Sequence, residues 1–188
     1  PCMITNSPAR FIQNEVGSPE QKNLKIQPEE ILKNIGPEMD LLEKFIIHDI
    51  DTDVELLNTV AHHILLAGGK RLRPALVLLA SSLFESIGES PLRVAQVVEY
   101  LHTATLLHDD VVDASSLRRG RNTANSQWGN SSSVLVGDFL YSRAFQMLVE
   151  IGNIPVMSSI ANASNLISEG EVQQLSYVGN PDIDEVMY

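Results

Sequence analysis

The stretch from Ser90-Pro91 to Asp113 constrains the fold of this chain more than any other. Proline is tolerated in a helix's first turn, where its missing N–H would have no partner anyway. Val94, Val97, Val98, Leu101 and Ala104 then set apolar side chains around much of the helical circumference. A helix that is apolar on most sides must be surrounded, so this segment predicts a central, buried helix inside a bundle. It ends in three carboxylates, Asp109, Asp110 and Asp113.

The remaining segments supply the surrounding layer. Pro28 with Glu29 and Glu30 marks a helix start, with acids at the positive end of the helix dipole. Ile31, Ile35, Leu41, Leu42, Phe45 and Ile46 keep helical spacing, interrupted at Gly36-Pro37. Asp53 reads as the cap of a helix striped by Val54, Leu57, Val60, Ala61, Ile64 and Leu65, which Gly68-Gly69 ends. Further helices are predicted over 72–87, 134–151 and 155–178, with Gly152-Asn153 between the last two and a polar connection over 118–130. No stretch alternates in a way that demands a strand, and no internal repeat is visible. The predicted class is all-α. Residues 1–27, with several prolines and amides and no period, are expected to form a flexible arm ahead of one domain over 28–188.

Composition narrows the function. At 44% hydrophobic the chain can bury a core, yet no apolar run reaches the roughly 18 residues of a membrane span. No leader pattern opens the chain, and the lone Cys2 cannot form an internal disulfide, which suits a reducing, cytoplasmic setting. Pro1 is no initiator, so a processed chain or a fragment is expected. A net charge of −11 disfavours nucleic acid. Six of the 13 basic residues nevertheless fall in two clusters, Lys70/Arg71/Arg73 and Arg118/Arg119/Arg121, so an anion would be held by local cations.

These clusters and the aspartates carry the chemistry. Asp109 and Asp113 share a helical face, with Asp110 about 100° away. Hard carboxylate oxygens suit Mg²⁺, which keeps waters and takes further ligands from phosphates. The plainer reading is an exposed helix end, although acids there oppose the dipole. Guanidinium forks at Arg118 and Arg119 match phosphate oxygens; a solvated basic loop paired to the acids fits as well. Gly68-Gly69-Lys70-Arg71-Leu72-Arg73-Pro74 lacks the features of a Walker loop. Its glycines let Lys70 and Arg73 face one anion, or simply cap a helix. His102 lies about 10 Å before Asp109 on the same face, either as a second phosphate contact or as a hydrogen-bonded core residue. His62, His63 and His108 read as structural, without zinc spacing.

Taken in order, these motifs resemble a known family. Gly68 to Pro74, Glu99-Tyr100-Leu101-His102-Thr103-Ala104, Leu107 to Asp113, Leu117-Arg118-Arg119-Gly120, Val136-Gly137-Asp138-Phe139-Leu140-Tyr141 and Glu169 to Leu175 are similar to the trans-type polyprenyl diphosphate synthases, and most of all to their octaprenyl type in quinone biosynthesis. The resemblance implies a helical isoprenoid-synthase bundle around a central cavity, usually a homodimer. It implies Mg²⁺ on an allylic diphosphate at Asp109 and Asp113, with Asp110 supporting and Arg118 on the same diphosphate. It implies isopentenyl diphosphate on Lys70, Arg73, His102 and Arg119, with Gln174 on the allylic side. Ala104 and Thr105, one turn before Asp109, carry no ring where a ring closes the product pocket in this family, so a long product is expected and Ala104→Phe should shorten it. Tyr100 is either a deeper floor or core.

The same resemblance implies an incomplete enzyme. Family members are longer, and their second aspartate-rich motif lies beyond Tyr188; Asp182-Ile183-Asp184-Glu185 lacks its spacing. A truncated N-terminal portion is therefore expected, with two functional alternatives: a long-chain prenyltransferase, or a fragment that binds isopentenyl diphosphate or a partner subunit. A terpene cyclase is disfavoured, because cyclases have no need of the isopentenyl site.

Overall fold

The computed structural model describes residues 28–84, 87–180, 182, 184 and 185. The expected arm over 1–27 lies outside them. The elements run α1 (Pro28–Lys33), α2 (Gly36–His48), α3 (Glu55–Leu65), α4 (Leu72–Ser82), α5 (Glu89–Val112), β1 (Leu117–Arg118), β2 (Arg121–Asn122), α6 (Ala124–Trp128), α7 (Asn130–Ile151) and α8 (Ile154–Tyr177). The class is all-α, with α5 at the centre as predicted. Its most extensive partners are α7 and α4, with α2 and α6 also against it.

Local chemistry sets most of the boundaries. Pro37 and Glu38 occupy the first turn of α2. Gly152, at φ 67, ends α7 in the left-handed conformation, and the Asn153 side chain then caps α8 by accepting from Val156 N at 3.1 Å. Asp53 does not cap α3. The residue at that position is Val54, and the approach is fixed instead by Asn58, which donates to Thr52 O at 2.8 Å and accepts from Thr52 N at 3.0 Å. The polar connection predicted after Arg118 is more ordered than expected. It contains the antiparallel pair β1–β2, a short α6 and the first turn of α7. Arg119 and Gly120 form the two-residue turn of that pair, both at positive φ (52 and 76), as a type I′ hairpin requires.

The core joins α2, α3, α4, α5 and α7. Leu42, Ile46, Val60, Leu78, Leu107, Leu140 and Leu148 are all completely buried, each such side chain contributing about 1.5–3 kcal/mol of transfer free energy. The face of α5 turned into this core is more polar than its sequence stripe suggested. Gln96, Glu99, Thr103 and Asp110 are buried there, while Val94, Val98 and Leu101 are only half-buried. The polar side chains tie helices together. Gln96 Nε2 donates to Phe45 O at 3.0 Å and to Asp49 Oδ2 at 3.1 Å, and the Tyr100 hydroxyl donates to Ile46 O at 2.8 Å. Tyr100 is therefore core, and burial pushes its hydroxyl pKa up.

Where α5 and α7 come closest, Gly137 lies against the His108 ring, and a Cβ there would overlap the imidazole. His108 in turn places Nε2 3.2 Å from Val134 O and 3.3 Å from Asp138 Oδ1. The histidines expected to be structural are in such settings. His63 meets Trp128 edge-on and binds Asn122 O, and His62 stands 3.1 Å from Asp51. By contrast, α8 has no buried residue; it packs against α7, and Val156, Met157 and Ile160 near its start rest on the core.

Candidate active site: a cationic cavity opening on an apolar groove

The turn between α3 and α4 faces the middle of α5 across a cavity of about 430 Å³. Lys70, Arg73, His102 and Arg119, expected from the sequence to hold one anion, all line it. They come from three separate parts of the chain. Lys70 and Arg73 flank the start of α4, His102 sits mid-way along α5, and Arg119 is the tip of the hairpin. The Arg119 guanidinium donates to Gly68 O and packs on Gly69, where a Cβ would stand 2.7 Å from Nη1. The Arg119 guanidinium thus docks the hairpin tip onto the Gly68-Gly69 turn, bringing the two basic loops together.

His102 is electrically set for this cavity. Burial, and then Arg73, hold the imidazole below its ordinary pKa, with Arg119 and Arg118 adding and Glu99 opposing. A neutral ring is consistent with Arg73 Nη1 lying 3.2 Å from Nε2, a distance at which the guanidinium donates to the ring nitrogen.

Beside this cavity, α5 borders an apolar groove of about 440 Å³. Asp109 lies at one end, and Thr105, Leu101 and Val98 follow toward the start of α5. Tyr141 of α7 and Ile160, Ala163 and Ile167 of α8 also line it. Arg73 and His102 belong to both the groove and the cationic cavity. Of the two residues expected to shape a product pocket, Thr105 lines the groove. Ala104 is completely buried in the core and gives it no surface, because its Cβ points along the α5 face shared with Tyr100 and Leu107.

The three aspartates separate. Asp110 is 1% exposed and receives Arg118 Nε at 2.9 Å and Nη2 at 2.8 Å. Its main-chain oxygen accepts from Asn125 Nδ2 at 2.9 Å. Asp110 therefore fixes Arg118 and the loop after α5, so the pairing of basic loop and acids weighed above holds for this one couple. Asp109 stays at the groove, and Asp113 is an exposed C-cap whose N–H donates to Asp109 O at 2.8 Å. Among the described residues no three His, Cys, Asp or Glu side chains converge as a ready-made metal cage.

Two carboxylates one turn apart nevertheless fit a cation that draws its other ligands from water and phosphate. Burial raises the Asp109 pKa first, and Glu171 across the groove raises it next; Asp113 and Asp110 add, against the pull of Arg118. Of these causes, the carboxylates of Glu171, Asp113 and Asp110 are the ones that favour a cation beside Asp109. Asp109 and Asp113 would hold it, and it would neutralise anionic charge at that end of the groove.

Sequence reasoning missed Glu171, Tyr141 and the lining face of α8. The spacing 160, 163, 164, 167, 168, 171 is a helical face, and that was the available signal. Gln174 is exposed on the next turn of the same helix, past Glu171, and does not line the groove. The site is also where backbone strain gathers. Among the described residues, Arg71, Ala114 and Arg119 are the non-glycine positions at positive φ, and they flank the basic turn, the end of α5 and the hairpin.

Helices around an acid-headed apolar groove, beside a cationic cavity, define the class of the all-α isoprenoid synthases. Residues 54–188 match the sequence profile of polyprenyl synthetases, and the chain belongs to that family. It is 44% identical over 160 residues to octaprenyl diphosphate synthase of Haemophilus influenzae, covering 85% of this chain and 49% of the relative. Two solved structures superpose with a TM-score of 0.81. A decaprenyl diphosphate synthase from Rhodobacter capsulatus is 44% identical over 85% of this chain and 50% of its own. A polyprenyl synthase from Caulobacter crescentus, complexed with calcium and isoprenyl diphosphate, is 39% identical over 85% and 49%. The chain spans about half the length of the curated relatives it matches. Among the described residues no helix is long and apolar enough to cross a membrane.

Proposed function

We propose that this chain carries the substrate site of a long-chain trans-polyprenyl diphosphate synthase, acting in the cytoplasm as a homodimer and supplying an octaprenyl-type side chain for quinones. The observation that carries this reading is the shared wall of Arg73 and His102, which sets a cationic cavity directly beside an acid-headed apolar groove.

Lys70, Arg73, His102 and Arg119 hold the diphosphate of isopentenyl diphosphate, Arg119 swinging from its Gly68 contact or sharing it. The allylic diphosphate lies at the Asp109 end, with its hydrocarbon along Thr105, Leu101 and Val98. Bound Mg²⁺ would neutralise charge on that diphosphate as its C–O bond breaks. Arg118, braced by Asp110, stabilises the same departing charge. The isopentenyl double bond then attacks the allylic carbon, a new C–C bond forms, and a proton leaves to the released diphosphate. No protein nucleophile takes part; the side chains hold the two reactants close and keep the ionised pair from water. Identity of 44% with an octaprenyl synthase supports the long-chain reading, as does the ring-free Thr105 wall.

The test is a prenyltransferase assay on this chain with isopentenyl diphosphate, farnesyl diphosphate and Mg²⁺, products being separated by length. Long linear polyprenyl diphosphates are expected. No incorporation alongside retained isopentenyl diphosphate binding would assign it as the binding half only.

A further inference from the structure

Arg71 lies between Lys70 and Arg73 in sequence, and its side chain is engaged differently from theirs. Nε donates to Glu43 Oε1 at 2.7 Å, Nη1 to Glu99 Oε1 at 2.5 Å, and Nη2 to both Glu43 Oε2 at 3.2 Å and Leu65 O at 2.8 Å. These bonds engage most of the guanidinium's five N–H groups, so no free fork remains for an anion. The side chain is 12% exposed. Its backbone sits at φ 46, ψ 35, a left-handed conformation that is unfavourable for any residue with a Cβ. Gly68 is left-handed as well, at φ 77, without that penalty. The turn from α3 into α4 therefore contains one glycine that bends freely and one arginine that must be held bent. Its partners sit on different helices, Glu43 on α2 and Glu99 on α5, three residues before His102.

We propose that Arg71 is a positioning residue, locked between Glu43 and Glu99 so that the turn from Gly68 to Arg73 presents Lys70 and Arg73 to the diphosphate. Glu99 is the anionic half of that lock, although it lines an anion cavity. This assignment rests on the anion-binding reading above. It explains why a buried carboxylate is tolerated at a site that must attract phosphate: the cost of its charge there is offset by a fixed loop.

The two roles for Glu99 predict opposite signs. If Glu99 acted through its charge alone, Glu99→Gln would remove a repulsive acid from the cavity and tighten anion binding. As the lock it should do the reverse. The experiment is calorimetric titration of this chain with inorganic diphosphate without divalent cation, alongside Glu99→Gln and Glu43→Gln. Amide hydrogen exchange of residues 68–73 is followed on the ligand-free proteins. Both variants are expected to bind at least about tenfold more weakly, a loss of the size a displaced contact loop produces, with faster exchange over 68–73 and unchanged helical circular dichroism. Glu43→Gln matters because Glu43 does not line the cavity. Equal or tighter binding by the variants, or unchanged exchange at the turn, would overturn the positioning role alone. Failure of the unaltered chain to bind diphosphate would overturn the anion-site reading, and this inference with it.

Discussion

Single residues divide here into those whose role follows from type and spacing and those whose role depends on a distant partner. Gly68-Gly69 announces a turn that lets Lys70 and Arg73 face one anion, but His102 and Arg119 joined them as a set only through the family resemblance. The separation of Asp110 from its neighbours was legible only in outline, because its burial depends on Arg118 folding back eight residues later. Asp109→Asn should weaken Mg²⁺-dependent binding of an allylic diphosphate by about 100-fold while leaving the thermal midpoint close to that of the parent. Calorimetry with and without Mg²⁺ checks it, and an unchanged Mg²⁺-dependent affinity would remove Asp109 from the metal set. Asp49 gives a pH prediction. Burial opposes its ionisation, but hydrogen bonds from Gln96, His48 and Arg93 outweigh that and hold its pKa below the ordinary 3.8. A lowered pKa in the folded state contributes stability above 3.8, which is lost as pH falls through the folded value. The thermal midpoint should therefore drop on acidification below about pH 4, and Asp49→Asn should flatten that acid limb.

At the scale of helices, the order of segments was readable and their ends less so. Helical periodicity identified α5, α7 and α8 to within a few residues, because apolar spacing and Gly152 leave little choice. The β1–β2 pair escaped notice because a two-residue turn of Arg119-Gly120 lacks the usual Asn-Gly signal, although both residues take the positive φ such a turn needs. The expected effect of a ring at position 104 changes for the same kind of reason. Which side of α5 meets the groove depends on packing: Ala104→Phe should overpack the core at a cost of about 1–3 kcal/mol, whereas Thr105→Phe should fill the groove. Product lengths from the two variants decide, with shortening expected for Thr105→Phe. Gly137→Ala should also destabilise by about 1–3 kcal/mol, because the added methyl meets the His108 ring and wedges α5 from α7. A shift in the urea midpoint measures it.

For the molecule as a whole, the interior and the outer surface of the bundle follow different logic. The core side is closed around α5, but α8 exposes Leu166 at 66%, Val172 at 67% and Leu175 at 57%. Val172 and Leu175, three residues apart, share a side of α8, and such exposed apolar surface predicts association. Sedimentation at increasing concentration should show it, and Val172→Glu with Leu175→Glu should reduce it. No sequence stripe says what lies against such a face, which is why the helix was legible and its surroundings were not. The two cavities raise a different matter. Because Arg73 and His102 line both, side chains alone, and no backbone layer of their own, mark the boundary these two residues set between the cationic chamber and the apolar one. A single synthetic molecule carrying an anionic head and a long hydrocarbon arm can therefore straddle the two. Its second contact is made intramolecularly once the first is in place, so it should behave as a bisubstrate inhibitor, competing with both reactants at once.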